Sequence, residues 1–147
     1  MGFFKETGNL IKSLSGNLDA RVDQGLWFLK NGQNENAMNC FSSASLKGHP
    51  NATRLWGERL IDDGIGHIDT LGGLMKLKKA ITIGCPAAEK SYSLYKNKSQ
   101  GLALFALNDE EIDDVRSAVM SQPYGQIDDL DQRMLDKIVD EIKRRFK

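Results

Sequence analysis

Apolar side chains recur at intervals of three and four along almost the whole chain, and glycine or asparagine closes each run. Phe3, Phe4, Thr7, Leu10, Ile11 and Leu14 form the first stripe, the spacing of an amphipathic helix. Residues 2–14 are therefore predicted helical, although Gly8 costs about 1 kcal/mol relative to alanine. Ser15-Gly16-Asn17 breaks the pattern, and Asn17 can cap a helix running from about Leu18 to Lys30. Further helices are predicted from about Asn34 to Lys47, Asn51 to Asp62, Leu71 to Ile83 and Ala87 to Lys96. Gly64, Gly66, Gly72 and Gly73 read as a flexible connector over 64–73, and Asn97 to Gly101 as the point where a third cycle stops. Asn108 is a candidate N-cap with Asp109, Glu110 and Glu111 on the first turn, where the helix dipole favours negative charge. A turn at Gln122-Pro123-Tyr124-Gly125 precedes a last helix from about Asp128 to Lys147. That helix is striped with Leu130, Met134, Leu135, Ile138, Val139, Ile142 and Phe146. No segment alternates with the period of two that marks a strand. The fold class is all-α.

One phrase occurs twice. Gly48-His-Pro-Asn-Ala52 returns as Gly84-Cys-Pro-Ala-Ala88, 36 residues on. Phe41 and Ala44 align with Leu77 and Ala80, and Trp56 with Tyr92. Self-similarity at a period of 20–50 residues marks a chain of stacked units, each too small to bury its own apolar face. The leading-helix phrase Ala-x-x-x-large-Gly reads Ala52 to Trp56-Gly57, then Ala88 to Tyr92-Ser93, and in weaker form Ala20 to Gln24-Gly25. The following-helix phrase reads Ala37-x-x-Cys40-Phe41-x-x-Ala44-x-x-x-Gly48, then Gly73-x-x-Lys76-Leu77-x-x-Ala80-x-x-x-Gly84.

These phrases resemble the Sel-one-like repeat family, a relative of the tetratricopeptide repeat, over about residues 18–96. The departures are Gln24, Ser93, Lys76 and Lys96, where the family pattern has apolar residues, glycine or aromatics. The resemblance implies a short right-handed α-solenoid of antiparallel helix pairs. On that reading 1–147 is a single domain: an N-terminal helix over 2–14, repeats over 18–100 and C-terminal capping helices over 106–147. Trp56, Tyr92, Phe28, Leu60 and Phe41 would fill the spaces between pairs.

It further implies a concave groove, lined by the leading helices, that holds a protein or peptide partner. Carried over by position, the groove side shows Asp19, Val22, Leu26, Leu29 and Lys30, then Asn51, Arg54, Glu58, Ile61 and Asp62, then Lys90, Leu94 and Lys98. Such a surface suits a peptide with an apolar anchor and acidic flanks. The expected role is a non-enzymatic scaffold or adaptor. A narrower version is neutralisation of one partner, as with small Sel-one-like proteins encoded beside bacterial toxins. Trp27 lies off the repeat signature, as a binding hot spot or as the packing partner of Phe3, Phe4 and Leu10.

Lys and Arg number 20, and so do Asp and Glu. That balance argues against a nucleic-acid or anionic-membrane surface. The first 100 residues carry 13 basic and 9 acidic side chains, and the remaining 47 carry 7 and 11. The acidic tail, over 109–141, could therefore fold back on the lysine end of the groove. No run reaches the roughly 18 apolar residues that span a bilayer. Met1 to Glu6 lacks the basic and apolar regions of a signal peptide, so a cytoplasmic address is expected.

Chemistry is thinly represented. His49 and His67, with Cys40 and Cys85, lack paired metal-ligand spacing. Cys40 reads as a buried small hydrophobe and Cys85 as partly exposed in its turn. No metal, cofactor or catalytic residue is assigned. Two alternatives stand beside the scaffold reading. One is a small hydrolase or ligand-binding protein using His67 with Asp62 and Asp63. The other is homo-oligomerisation through the last helix.

Overall fold

Asn17 starts the first helix as its sequence suggests: its side-chain carbonyl accepts the Ala20 N–H at 3.0 Å, satisfying one of the donors a helix start leaves free. The computed structural model describes residues 17–121 and 127–145. The predicted helix over 2–14, the turn over 122–125 and Phe146 fall outside them. Within them the chain forms α1 (Leu18–Lys30), α2 (Asn34–Leu46), α3 (Pro50–Asp62), α4 (Gly66–Thr82), α5 (Ala88–Lys96), α6 (Ser99–Phe105), α7 (Asp109–Ser121) and α8 (Asp129–Arg145). No strand occurs among the described residues.

The recurring phrase is a helix stop followed by a helix start. At its first copy Gly48 takes φ +92°, and at its second Gly84 takes φ +97°, the left-handed region that glycine enters without steric cost. That conformation lets His49 N–H reach the Ala44 carbonyl at 3.2 Å and Cys85 N–H the Ala80 carbonyl at 2.9 Å. Both are the long bond of a Schellman closure. After Gly48, Pro50 occupies the first turn of α3, and the His49 ring caps that helix by accepting the Ala52 N–H at Nδ1, 3.1 Å away.

Consecutive helices pack as neighbours: α1 on α2, α2 on α3, α3 on α4, α4 on α5 and α5 on α6. Two cores result. Val22, Ala37, Phe41, Ala44, Ala52, Leu55, Trp56 and Leu60 join α1, α2 and α3, while Phe28 packs against them half-buried. The larger core joins Ile61 of α3 to α4 and everything after it. Helix α4 is its axis. It packs against α3, α5, α6, α7 and α8, and residues 70–77 are buried without interruption.

That burial corrects the predicted connector over 64–73. The helix begins at Gly66, about five residues earlier than expected. Gly73 is there to let helices touch: a Cβ on it would lie 2.7 Å from the Gly57 carbonyl oxygen and 2.5 Å from Ile61 Cγ1. A second correction concerns 97–101: α5 does end at Lys96, but the break spans only Asn97 and Lys98. The chain re-enters a short helix at Ser99 and turns Leu104 and Phe105 into the larger core. The polar run was a tight turn with buried Gly101 against the Lys96 carbonyl.

The C-terminal helices cover α4. Asn108 caps α7 as expected, accepting Glu111 N–H at 2.8 Å, and Glu111 reaches back to Asn108 N–H at 3.3 Å. Asp128 and Asp131 make the same reciprocal capping box at the start of α8. The predicted stripe of α8 is spent within the chain, since Met134, Leu135, Ile138, Val139 and Ile142 are all buried.

Candidate partner-binding face

Side-chain bonds tie the three leading helices to one another at nearly constant offsets. His49 Nε2 donates to Asp19 Oδ1 at 2.6 Å, across 30 residues. Nδ1 already accepts the cap bond, so this tautomer follows from the local geometry. Ser91 donates to Glu58 and Tyr95 to Asp62, each at 2.6 Å and each across 33 residues. Cys85 Sγ stands 3.9 Å from Asn51 Oδ1, across 34. Helix α3 packs against α5, which three of these bonds reinforce, while Asp19–His49 ties the start of α1 to the start of α3.

The expected groove residues divide into three groups on this face. Val22 and Ile61 are not on the surface, contrary to expectation. Only 4% and 2% of each is exposed, and both belong to the cores, because the apolar stripe of each helix faces its own hairpin partner. A second group is engaged within the chain. Arg54 holds Asn51 and pairs with Glu58 at 2.6 Å. Asp62 accepts from Arg59 at 2.8 Å and from Lys98 at 3.3 Å, and Asp19 is taken by His49. Leu26, Leu94, Lys30 and Lys90 form the third group, open to solvent, with Leu29 half-buried beside them. Trp27 is half-buried and edge-on to Phe28, with ring centroids 5.4 Å apart. Its proposed partners Phe3, Phe4 and Leu10 lie outside the described residues.

Sequence reasoning missed Tyr95, Ser91 and Arg59. Tyr95 sits one turn beyond the signature Tyr92, and its hydroxyl is held neutral: burial raises its pKa first, and the hydrogen bond and charge of Asp62 raise it further. Gln24 departs from the repeat pattern. It is buried because Arg21 donates to its carbonyl at 3.0 Å and the Cys40 thiol stands 3.9 Å away. Cys40 is buried as expected, with its thiol pKa pushed up by that burial. Cys85 is buried as well, which corrects its expected exposure.

The acidic tail does fold back on lysines, but on others than expected. Helix α8 engages Lys76, Lys78, Lys79 and Lys96, whereas Lys98 belongs to Asp62 and Lys90 faces solvent. The elements expected around His67 are not drawn together. His67 lines a hollow of about 210 Å³ with Gly66, Thr70, Gln100 and Ala103. Asp62 and Asp63 are both held by Arg59. No metal-binding cluster of His, Cys, Asp or Glu occurs among the described residues. No helix among them is long and apolar enough to cross a membrane. No protein-family model, curated protein or solved structure matches the chain.

Proposed function

We propose that the protein is a non-enzymatic helical-repeat scaffold of the Sel-one-like kind, holding a polypeptide partner on the face of α1, α3 and α5. One observation carries this reading. The leading helices are tied to one another by Asp19–His49, Glu58–Ser91 and Asp62–Tyr95, while Leu26 and Leu94 on the first and third of them remain 40% and 56% exposed. A surface braced from within and left apolar at its outer positions can receive a partner without reorganising first, which lowers the cost of association. Because Asp19, Glu58, Asp62 and Arg54 are paired within the chain, the face offers leucine anchors and the lysines Lys30 and Lys90. A peptide with an apolar anchor and acidic flanks complements them. The two free cysteines fit a cytoplasmic setting.

Affinity purification from native lysate tests this, with the unmodified chain, Leu26→Glu/Leu94→Glu, and Leu46→Glu as a control on the following helix α2. The scaffold reading expects one partner recovered by the unmodified chain and by Leu46→Glu, and lost with the double variant. Recovery that ignores Leu26 and Leu94 would remove it.

A further inference from the structure

Two of the departures from the repeat pattern, Lys76 and Lys96, point at the same helix. Lys76 Nζ donates to Asp131 Oδ1 at 3.0 Å, and both side chains are buried. Lys79 joins them, 3.1 Å from Asp131 and 2.8 Å from Asp128. Ten residues further along α8, Glu141 accepts from the Tyr92 hydroxyl at 2.9 Å and from Lys96, with Lys78 at 3.6 Å. Between these two ends lie the buried Met134, Leu135, Ile138, Val139 and Ile142. The seat of α8 is thus an apolar trough with a basic clamp at each end, about 15 Å apart at the rise of an α-helix. A trough of this kind reads an amphipathic helix through anchors at one-turn spacing.

We propose that this trough on α4 and α5 is a helix-binding surface in its own right, filled by α8 in the isolated chain and open to a partner's amphipathic helix bearing carboxylates at the same two places. It is separate from the leading-helix face, on the side of α4 that α8 covers.

The chemistry of the seat favours an exchangeable occupant over a permanent cap. A helix that only had to cover apolar surface would do so at least as well with apolar residues, because a buried ion pair repays its desolvation poorly. What such a pair supplies is register and choice of partner. The Lys76 ammonium also lies 4.5 Å over the Trp56 ring, so it stays partly stabilised whichever helix is present. Desolvation still depresses its pKa more than Asp131 restores it, and when α8 leaves, these ions regain water. The far flank of α8 is also open. A cleft of about 430 Å³ separates it from α7, lined by Asp113, Arg116, Asp136, Val139, Asp140 and Lys143. Across it run the ion pairs Arg116–Asp136 and Lys143–Asp113, surface pairs of the kind that hold little.

The test uses the full chain and, as probe, a fluorescent synthetic peptide with the sequence of residues 127–145. Asp131→Asn/Glu141→Gln in the chain weakens its own α8, and the peptide is expected to bind that variant at least tenfold more tightly than the unmodified chain. The same two changes in the peptide are expected to abolish the gain. Equal binding to both chains, binding to neither, or indifference to the peptide's carboxylates would overturn the proposal. A dimer of the unmodified chain that the peptide dissolves would assign the trough to a second copy and overturn the partner reading. Hydrogen exchange on the unmodified chain needs no variant. Amides of α8 are expected to exchange at least tenfold faster than those of α4, and exchange of both at one shared rate would show a permanent cap.

Discussion

Gly57 and Gly73 meet backbone to backbone at the crossing of α3 and α4. A Cβ built on either would fall within 2.8 Å of the other's carbonyl oxygen. In the first pair the close approach is of another kind, Gly25 lying against the side chains of Phe41 and Cys40. Gly73→Ala therefore sets two effects against each other. Helix propensity favours alanine by about 1 kcal/mol, while overpacking a core contact costs about 1–3 kcal/mol. The neighbour here is a carbonyl held in a helix and cannot swing away, so overpacking wins. Urea unfolding is expected to show a net loss of up to about 2 kcal/mol for Gly73→Ala, and any gain in stability would mean the helices separate freely.

Much of this architecture is legible from the chain alone, and the reason is local chemistry. Gly48, Gly84, Asn17 and Asn108 act within one helical turn, so their roles survive without knowledge of the fold. The stripe of α8 likewise announces a buried face. Glycine is ambiguous between a hinge and a close contact, and the cluster containing Gly72 and Gly73 suggests the first where the fold uses the second. Lys76 looked like a degenerate repeat position because its partner Asp131 lies 55 residues away. On the candidate face, positions carried over from the resemblance put Leu26 and Leu94 at the surface, where they lie, but put Val22 and Ile61 there too, and these turn inward. An apolar residue at the edge of a stripe carries no mark of which neighbour covers it.

The pair Lys76–Asp131 makes an unequal double-mutant cycle. Asp131→Leu strands the buried Lys76, leaves Lys79 with Asp128 alone, and removes the bond to Asp128 N–H. A cost of about 3–5 kcal/mol is expected, as for other broken buried pairs. Lys76→Met leaves Asp131 with Lys79 and should cost less. The double substitution should fall short of the sum by at least about 1 kcal/mol, within the range of coupled neighbours. Urea unfolding of the four proteins reads this, and simple additivity would mean that the two side chains act independently.

His49 performs two tasks with one ring, capping α3 through Nδ1 and tying α1 through Nε2. His49→Ala loses both and should cost about 1 kcal/mol from the cap, with further loss from the tie. His49→Asn can keep the cap but cannot reach Asp19 in the same way. It is expected to recover most of the stability, as read by thermal unfolding, while amides of α1 still exchange faster than in the unmodified chain.

Acid should loosen α8 first. Burial alone would raise the Asp128 carboxyl, but hydrogen bonds from Lys79 and from the Asp131 N–H outweigh it and hold the pKa at about 2, below the ordinary 3.8. Glu141 is likewise lowered, its burial outweighed by Lys96 and Tyr92. A carboxyl whose folded pKa is depressed stabilises the fold above its unfolded value and loses that effect as pH falls through the folded one. The Asp128 contribution is therefore full above about pH 4 and gone near pH 2. Urea midpoints measured from pH 5 to pH 2 should fall less steeply in Asp128→Asn than in the unmodified chain.

Base acts through the tyrosines on the opposite edge. Tyr92 and Tyr95 both titrate above the ordinary 10.0, first because they are buried and then because each donates to a carboxylate, Glu141 or Asp62. Folded, they keep their protons; unfolded, they release them near pH 10. Stability is thus complete below about pH 10 and declines as pH rises beyond it. Lys76, whose pKa is lowered, works in the opposite sense in the range up to 10.5, so the net slope alone decides nothing. Tyr92→Phe and Tyr95→Phe separate the two. Each should cost stability at pH 7, where the hydroxyl bond is lost, yet lose less than the unmodified chain between pH 9.5 and 11. Parallel curves for all three proteins would show that neither hydroxyl is shielded from ionising in the folded chain.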